Sequence, residues 1–203
     1  MLDNIRIPRR TLLATFGAAL AVPMLPGRGL AVTESAATGL VTQVTDEITR
    51  IINSGQTESG MINDFERLMG RYADLPTISQ SVLGPPARSA TQAQLRDFSR
   101  AFQGYMARKY GRRFREFIGG NVTVTGAQDL DRFVEVVSRV DMRGSAPFEV
   151  RFRVWDRSGS PLFIDMLIEG VSLVISERSE IGALLEQNGG SIDRLTQALQ
   201  RVG

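Results

Sequence analysis

Apolar residues recur at helical spacing through the first half of the chain and at a spacing of two through much of the second. Val41, Val44, Ile48, Ile51 and Ile52 mark one face of a helix over residues 40–52, which Asn53-Ser54-Gly55 ends. A second helix is expected over residues 59–70. The stretch 71–76 breaks it, and a short helix that follows stops after Leu83 at Gly84-Pro85-Pro86. Thr91 and Gln94 form a capping-box pattern that opens the longest helix, reaching about Ile118. Leu95, Phe98, Phe102, Tyr105, Met106, Tyr110, Phe114 and Phe117 are its apolar stripe, and Gly119-Gly120 its stop.

From Val122 the period becomes two, which predicts strands over residues 122–125, 133–140, 148–156 and 162–176. Phe148, Val150, Phe152 and Val154 share one face of the third; Glu149, Arg151 and Arg153 share the other. A three-residue loop, Arg157-Ser158-Gly159, sets Val154 opposite Leu162, Phe152 opposite Ile164, Val150 opposite Met166 and Arg151 opposite Asp165. In the last strand the apolar positions are even before Gly170 (Leu162, Ile164, Met166, Ile168) and odd after it (Val171, Leu173, Ile175). A bulge at Glu169-Gly170 would absorb the extra residue, hold both sets on one face and bend the strand. Helices over 179–187 and 191–201 close the pattern, around Asn188-Gly189-Gly190. Helices first and antiparallel strands later predict an α+β fold, with a curved, mostly antiparallel sheet packed by helices.

The chain has 203 residues, 42% hydrophobic and 23% charged, enough for one domain with a sizeable core. The excess of positive charge sits at the front. Residues 1–31 carry Arg6, Arg9, Arg10 and Arg28 against Asp3, and without them 20 basic and 21 acidic residues remain. A general affinity for nucleic acid loses its support on that count. Arg9-Arg10, the mild apolar run from Leu12 to Val22 and Gly29-Leu30-Ala31 read as a twin-arginine export signal, so residues 1–31 are expected to be removed and 32–203 to form a single periplasmic domain.

There is no His and no Cys, which takes away the usual imidazole base, the thiolate nucleophile, most zinc and copper sites, disulfides and a lipid anchor. Asp165 and Glu169 are the best candidates for a carboxylate-pair enzyme, though salt-bridge roles suit them better. No catalytic or metal site is expected. Arg96, Arg100, Arg108, Lys109, Arg112, Arg113 and Arg115 make the long helix basic away from its stripe. They read either as a solvated face or as a docking surface for anionic headgroups or an acidic partner. A bent strand with a continuous apolar face describes a container.

At these residues the chain resembles a known family. Phe98, Phe102 and Tyr105 before Tyr110-Gly111, the run Asp165-Met-Leu-Ile-Glu-Gly170-Val-Ser-Leu-Val174, Arg178-Ser179 and Gly189-Gly190-Ser191-Ile192-Asp193-Arg194-Leu195 are similar to the MlaC family. These are periplasmic phospholipid-binding proteins, also known as toluene-tolerance or ABC-transporter auxiliary proteins. The resemblance runs roughly from Val41 to Leu199. It implies a deep apolar pocket holding phospholipid tails as cargo, with the headgroup at the mouth and no cofactor. It also implies an outer-membrane lipoprotein complex and the substrate-binding subunit of an inner-membrane ABC transporter as partners, with transient membrane proximity. The parity shift and the helical stripe then make Phe98, Phe102, Tyr105, Met106, Val150, Phe152, Val154, Ile164, Met166, Ile168, Val171 and Leu173 the expected lining of the lipid pocket. The alternative is a non-enzymatic interaction module whose apolar face binds a partner helix and no lipid.

Overall fold

Six side chains start the six α-helices of the described residues, each accepting a hydrogen bond from the backbone N–H three residues on. They are Thr33, Thr57, Asp74, Thr91, Ser172 and Ser191. A computed structural model describes residues 32–157 and 159–202; the export signal expected in 1–31, Ser158 of the expected hairpin loop and the side chains of Phe114 and Arg115 lie outside the described residues. In order, the elements are α1 (Glu34–Ile52), α2 (Glu58–Tyr72), α3 (Leu75–Leu83), α4 (Gln92–Gly111), β1 (Asn121–Asp129), β2 (Val134–Asp141), β3 (Phe148–Trp155), β4 (Leu162–Ile168), β5 (Val171–Ser172), α5 (Leu173–Gln187) and α6 (Ile192–Leu199). The fold is α+β.

The capping box that opens α4 is complete. Thr91 Oγ1 accepts from Gln94 N at 3.2 Å, and Thr91 N donates to Gln94 Oε1 at 3.0 Å. The α-helix ends at Gly111, short of the expected Ile118, and Arg112–Phe117 continue as a 3₁₀ turn. Gly111 is both a poor helix former and a point of close approach, since a Cβ there would lie 2.9 Å from Ile62 Cγ1 of α2. At the front, Thr33 and Glu34 begin α1 a turn and a half before its apolar stripe does.

The five strands form one antiparallel meander in the order β1-β2-β3-β4-β5. Val134, Val136, Ser138 and Val140 pair with Val154, Phe152, Val150 and Phe148 and share the face that α1 covers. The β3–β4 register corrects the expected one. Ile164 is an extra residue in β4, so Val154 pairs with Phe163, Arg153 with Asp165, Phe152 with Met166 and Val150 with Ile168. Asp165 therefore meets Arg153 at 3.4 Å, while Arg151 bridges Glu135 and Glu149.

The single bent strand expected over 162–176 does not form. Glu169 and Gly170 have φ of 49° and 79°, the pair of positive values a two-residue type I′ hairpin turn requires. The chain reverses there, β5 pairs back on β4, and Leu173 begins a helix. The parity shift at Gly170 thus records a reversal and a change of period, not a bulge. Val171 and Ile175 consequently point outward, 60% and 67% exposed.

Asp165 makes that arrangement stable. It is buried, its Oδ2 accepts from Ser172 Oγ at 2.7 Å, and its Oδ1 accepts from the N–H of Met166 at 2.9 Å and of Val174 at 3.2 Å. Ser172 in turn caps α5 through Ile175 N. A carboxylate on a helix N-terminus also opposes the positive end of the helix dipole.

The core is divided. One cluster lies between the sheet and α1–α2 and includes Val41, Val44, Leu68, Val136, Val150 and Phe152. The other lies among α3–α6 and includes Val82, Phe98, Phe102, Tyr105, Ile181 and Leu195. Phe163 packs against both.

Asp165→Ala should lower stability by about 3 kcal/mol in urea unfolding, because Ser172, Val174 and Arg153 lose one buried acceptor together. Asp165→Asn, which keeps a carbonyl oxygen, should cost less.

Candidate functional site

Where the two clusters face each other they do not fill the space between them. A void of about 260 Å³ remains, larger than the ~150 Å³ apolar cavity that stays dry and takes up benzene in an engineered protein. Its wall draws on every layer of the fold: Val44, Ile48 and Ile52 of α1, Phe65 and Leu68 of α2, Ile78 and Val82 of α3, Phe102 and Met106 of α4, and Val150, Phe152, Met166 and Ile168 of the sheet. Met69, Met106 and Met166 give part of the wall an unbranched, adaptable surface.

Of the residues lining the void, Asn53, Arg113 and Asn121 alone are exposed. They come from the residue after α1, the 3₁₀ turn after α4 and the first residue of β1, and they mark one mouth. Phe117 and Phe148, with ring centroids 6.4 Å apart, line the cavity beside it. The rest of the wall is apolar apart from the buried Thr45, the half-buried Thr49, and the polar groups of Asp165, Tyr110 and Glu177.

Seven of the twelve residues expected in the pocket line this void: Phe102, Met106, Val150, Phe152, Met166, Ile168 and Leu173. The other five are elsewhere, each for a local reason. Phe98 is one turn too early on α4 and packs into the helical cluster, stacked on Phe102 at 6.0 Å. Tyr105 is buried but turns its hydroxyl to Glu180. Val154 lies past the bulge, wholly inside the sheet cluster. Ile164 is the bulge residue itself, and Val171 follows the reversal at Gly170.

The wall residues of α1, α2 and α3 were not anticipated. Their stripes showed only that those helices had a buried side. Phe163 joins the wall because the extra residue Ile164 puts it, and not Leu162, opposite Val154.

A polar cluster backs one side of the wall. Glu177 of α5 is 1% exposed, and its Oε1 accepts from Lys109 Nζ at 2.7 Å and from the Tyr110 hydroxyl at 2.5 Å. Lys109 also donates to Glu180, which accepts from Tyr105 at 2.6 Å. Burial pushes both phenols far above their ordinary range, with Glu180 and Glu177 adding to the effect at Tyr105 and Glu177 at Tyr110, so both stay neutral donors. Burial alone would lower the Lys109 ammonium, but its bonds to Glu177 and Glu180 outweigh that and hold it above its usual value. The hydrogen bonds from Lys109 and then Tyr105 hold Glu180 below the usual carboxylate range. Glu177 Oε2 has no partner among the described residues.

These contacts tie α4 to α5 across one side of the cavity. They occupy the half-buried Lys109 and the buried Glu177. Among the described residues no group of three or more His, Cys, Asp or Glu side chains could hold a metal ion. Asp165 and Glu169, the best candidates for a carboxylate pair, are a helix anchor and an acceptor for Glu149 N at 2.5 Å. The basic face of α4 is likewise dispersed: Arg100 pairs with Asp97, Arg108 donates to the carbonyls of Leu199 and Val202, and Lys109 is in the cluster.

Lys109→Met should cost about 3 kcal/mol, because it leaves Glu177 buried without its cation. The Glu180 contact should be visible in pH. Its folded pKa is depressed, so its contribution is complete above the ordinary value of 4.5 and fades as pH falls through the lower folded one. Urea midpoints of the native chain and of Glu180→Gln should therefore differ at neutral pH and converge as pH falls through the lowered folded value.

The fold has a counterpart. A phospholipid-binding protein from Ralstonia solanacearum, solved in complex with a phospholipid, superimposes with a TM-score of 0.70 at 19% sequence identity, over 81% of this chain and 95% of that one. The family model described as MlaC protein matches residues 42–201, which takes in α2 to α6, the whole sheet and most of α1. The chain belongs to the MlaC family.

Proposed function

We propose that this protein is a periplasmic phospholipid carrier. Residues 32–203 would form the exported domain after removal of 1–31. Acyl chains would lie in the void between the two core clusters, with the headgroup at the mouth beside Asn53, Arg113 and Asn121. The observation that carries the reading is the void itself. An apolar cavity of about 260 Å³ in a well-packed domain weakens the fold unless something apolar fills it. The phospholipid bound by the Ralstonia solanacearum protein is an occupant of the right chemistry for such a wall.

The energetics favour a shuttle. Burial of a methylene contributes about 0.8 kcal/mol, so two chains of about sixteen carbons represent some 25 kcal/mol. A bilayer already supplies that burial, so a pocket that matches it exchanges lipid near balance. The barrier is the exposure of tails to water during transfer, and docking to a donor and an acceptor removes it. In this reading the donor and acceptor are an outer-membrane lipoprotein complex and the substrate-binding subunit of an inner-membrane ABC transporter, serving the lipid asymmetry of the outer membrane. No covalent step is needed. Direction comes from the partners.

Mass spectrometry of lipid extracted from the purified protein tests the reading. Phospholipid at near one molecule per chain is expected, and Phe152→Asp or Met166→Asp should remove most of it while circular dichroism shows a folded protein. An interaction module that closes its apolar face on a partner helix would carry none.

A further inference from the structure

The end of the sheet that holds the mouth carries exposed side chains which neither core uses. β1 begins there, β2 ends, β3 begins and β4 turns into β5, because Asn121 pairs with Asp141, Val140 with Phe148 and Ile168 with both Val150 and Val171. Ile118, just ahead of β1, is 54% exposed; Val171 and Ile175, at the β5 side, are 60% and 67% exposed. They stand at the two edges of this end of the sheet, Ile118 beside the mouth at β1 and Val171 and Ile175 across the sheet from it. Single exposed aliphatics are ordinary on a protein surface, but three at one end of a sheet are not.

Arginines accompany them. Arg113 lines the mouth itself, and Arg50 lies one turn before Asn53. Arg143, in the β2–β3 loop, lies over Gly119, where a Cβ would come within 3.1 Å of its Nε. All three are exposed and form no ion pair among the described residues. Of the acids nearby, Asp141 is paired with Arg139, Glu149 with Arg151, and Glu169 accepts from a backbone N–H, which leaves Glu116, and Asp46 one turn before Arg50, as exposed countercharges.

We propose that this rim docks on the surface of a bilayer that contains anionic lipid, so that the mouth opens directly onto the headgroup region. The proposal rests on the carrier reading and adds the surface through which cargo enters and leaves. Cations attract anionic headgroups, and each arginine held near such a surface strengthens binding roughly fivefold. Aliphatics at separate points of the rim can enter the interface separately, as a fluid surface permits. The rim has no one continuous apolar patch of the kind an obligate protein interface buries.

Flotation with phosphatidylcholine vesicles, with and without phosphatidylglycerol, tests this on the purified chain; any binding by residues 1–31 is common to every variant. Binding is expected only with phosphatidylglycerol and should weaken with salt. Arg50→Gln with Arg143→Gln should reduce it by roughly fivefold per arginine. Ile118→Ser with Ile175→Ser should reduce it further. Neither pair lines the cavity, so co-purified lipid should be unchanged in both. Equal binding to the two vesicle types, or binding indifferent to both pairs, overturns the proposal. So does a defect confined to transfer to a protein partner with vesicle binding intact, which would assign the rim to that protein. Absence of co-purified lipid from the native chain would sink the carrier reading, whatever the vesicles show.

Discussion

Helix α5 borders the void, and Asp165 fixes how that helix leaves the sheet. One buried carboxylate holds the strand through Arg153, the turn through Ser172 Oγ and the helix through Val174 N. The helix thus leaves at a set angle, with Leu173 and Val174 bordering the cavity and Ile181 and Leu185 in the second cluster. A buried charge with this many partners has a steep cost if any one is lost, which makes the joint stiff. The ties of Lys109 to Glu177 and Glu180 complete the frame from α4.

The two kinds of wall suit a carrier for different reasons. Hydrocarbon packing is non-directional, so an apolar wall with several methionines accepts chains of different length and unsaturation with little penalty. Polar contacts are directional and would select one cargo or hold it too long. In this wall Asp165 is engaged by Arg153 and Ser172, and Glu177 by Lys109 and Tyr110 through Oε1. What remains for the guest is largely dispersion and exclusion of water. Such binding can be strong in total and still release its guest to any surface equally apolar.

Much of this was legible in the residues, and the exceptions have physical causes. The helix stripes, the capping box at Thr91 and the four long strands follow from period and turn chemistry, and they give the α+β fold class directly. The β4–β5 turn was not legible, because a parity shift at a Gly is compatible with a bulge or with a reversal. What separates them is the positive φ of the non-glycine Glu169, together with the cap that Ser172 and Asp165 offer to the next four residues. Period over Val171, Leu173 and Ile175 could not decide, since three alternate apolar residues fit a strand as well as the start of a helix. The bulge at Ile164 was equally silent: it shifted Phe163 into the wall and exchanged Arg151 for Arg153 as the partner of Asp165.

The pocket itself was half legible for a related reason. A sequence shows which side of an element is apolar, but not whether two apolar sides meet. The stripes of α1, α2 and α3 look the same whether they close on the sheet or stand off from it. Whether they close is decided by volume and by anchors at distant points: Phe163 spans both clusters, while Asp165 and Lys109 hold α5 and α4 where they are. A cavity is therefore a property of what restrains the walls more than of what lines them. In this chain the restraints are polar and most of the lining is apolar, so a substitution at Lys109, which does not line the void, can change it without touching the surface a lipid would meet.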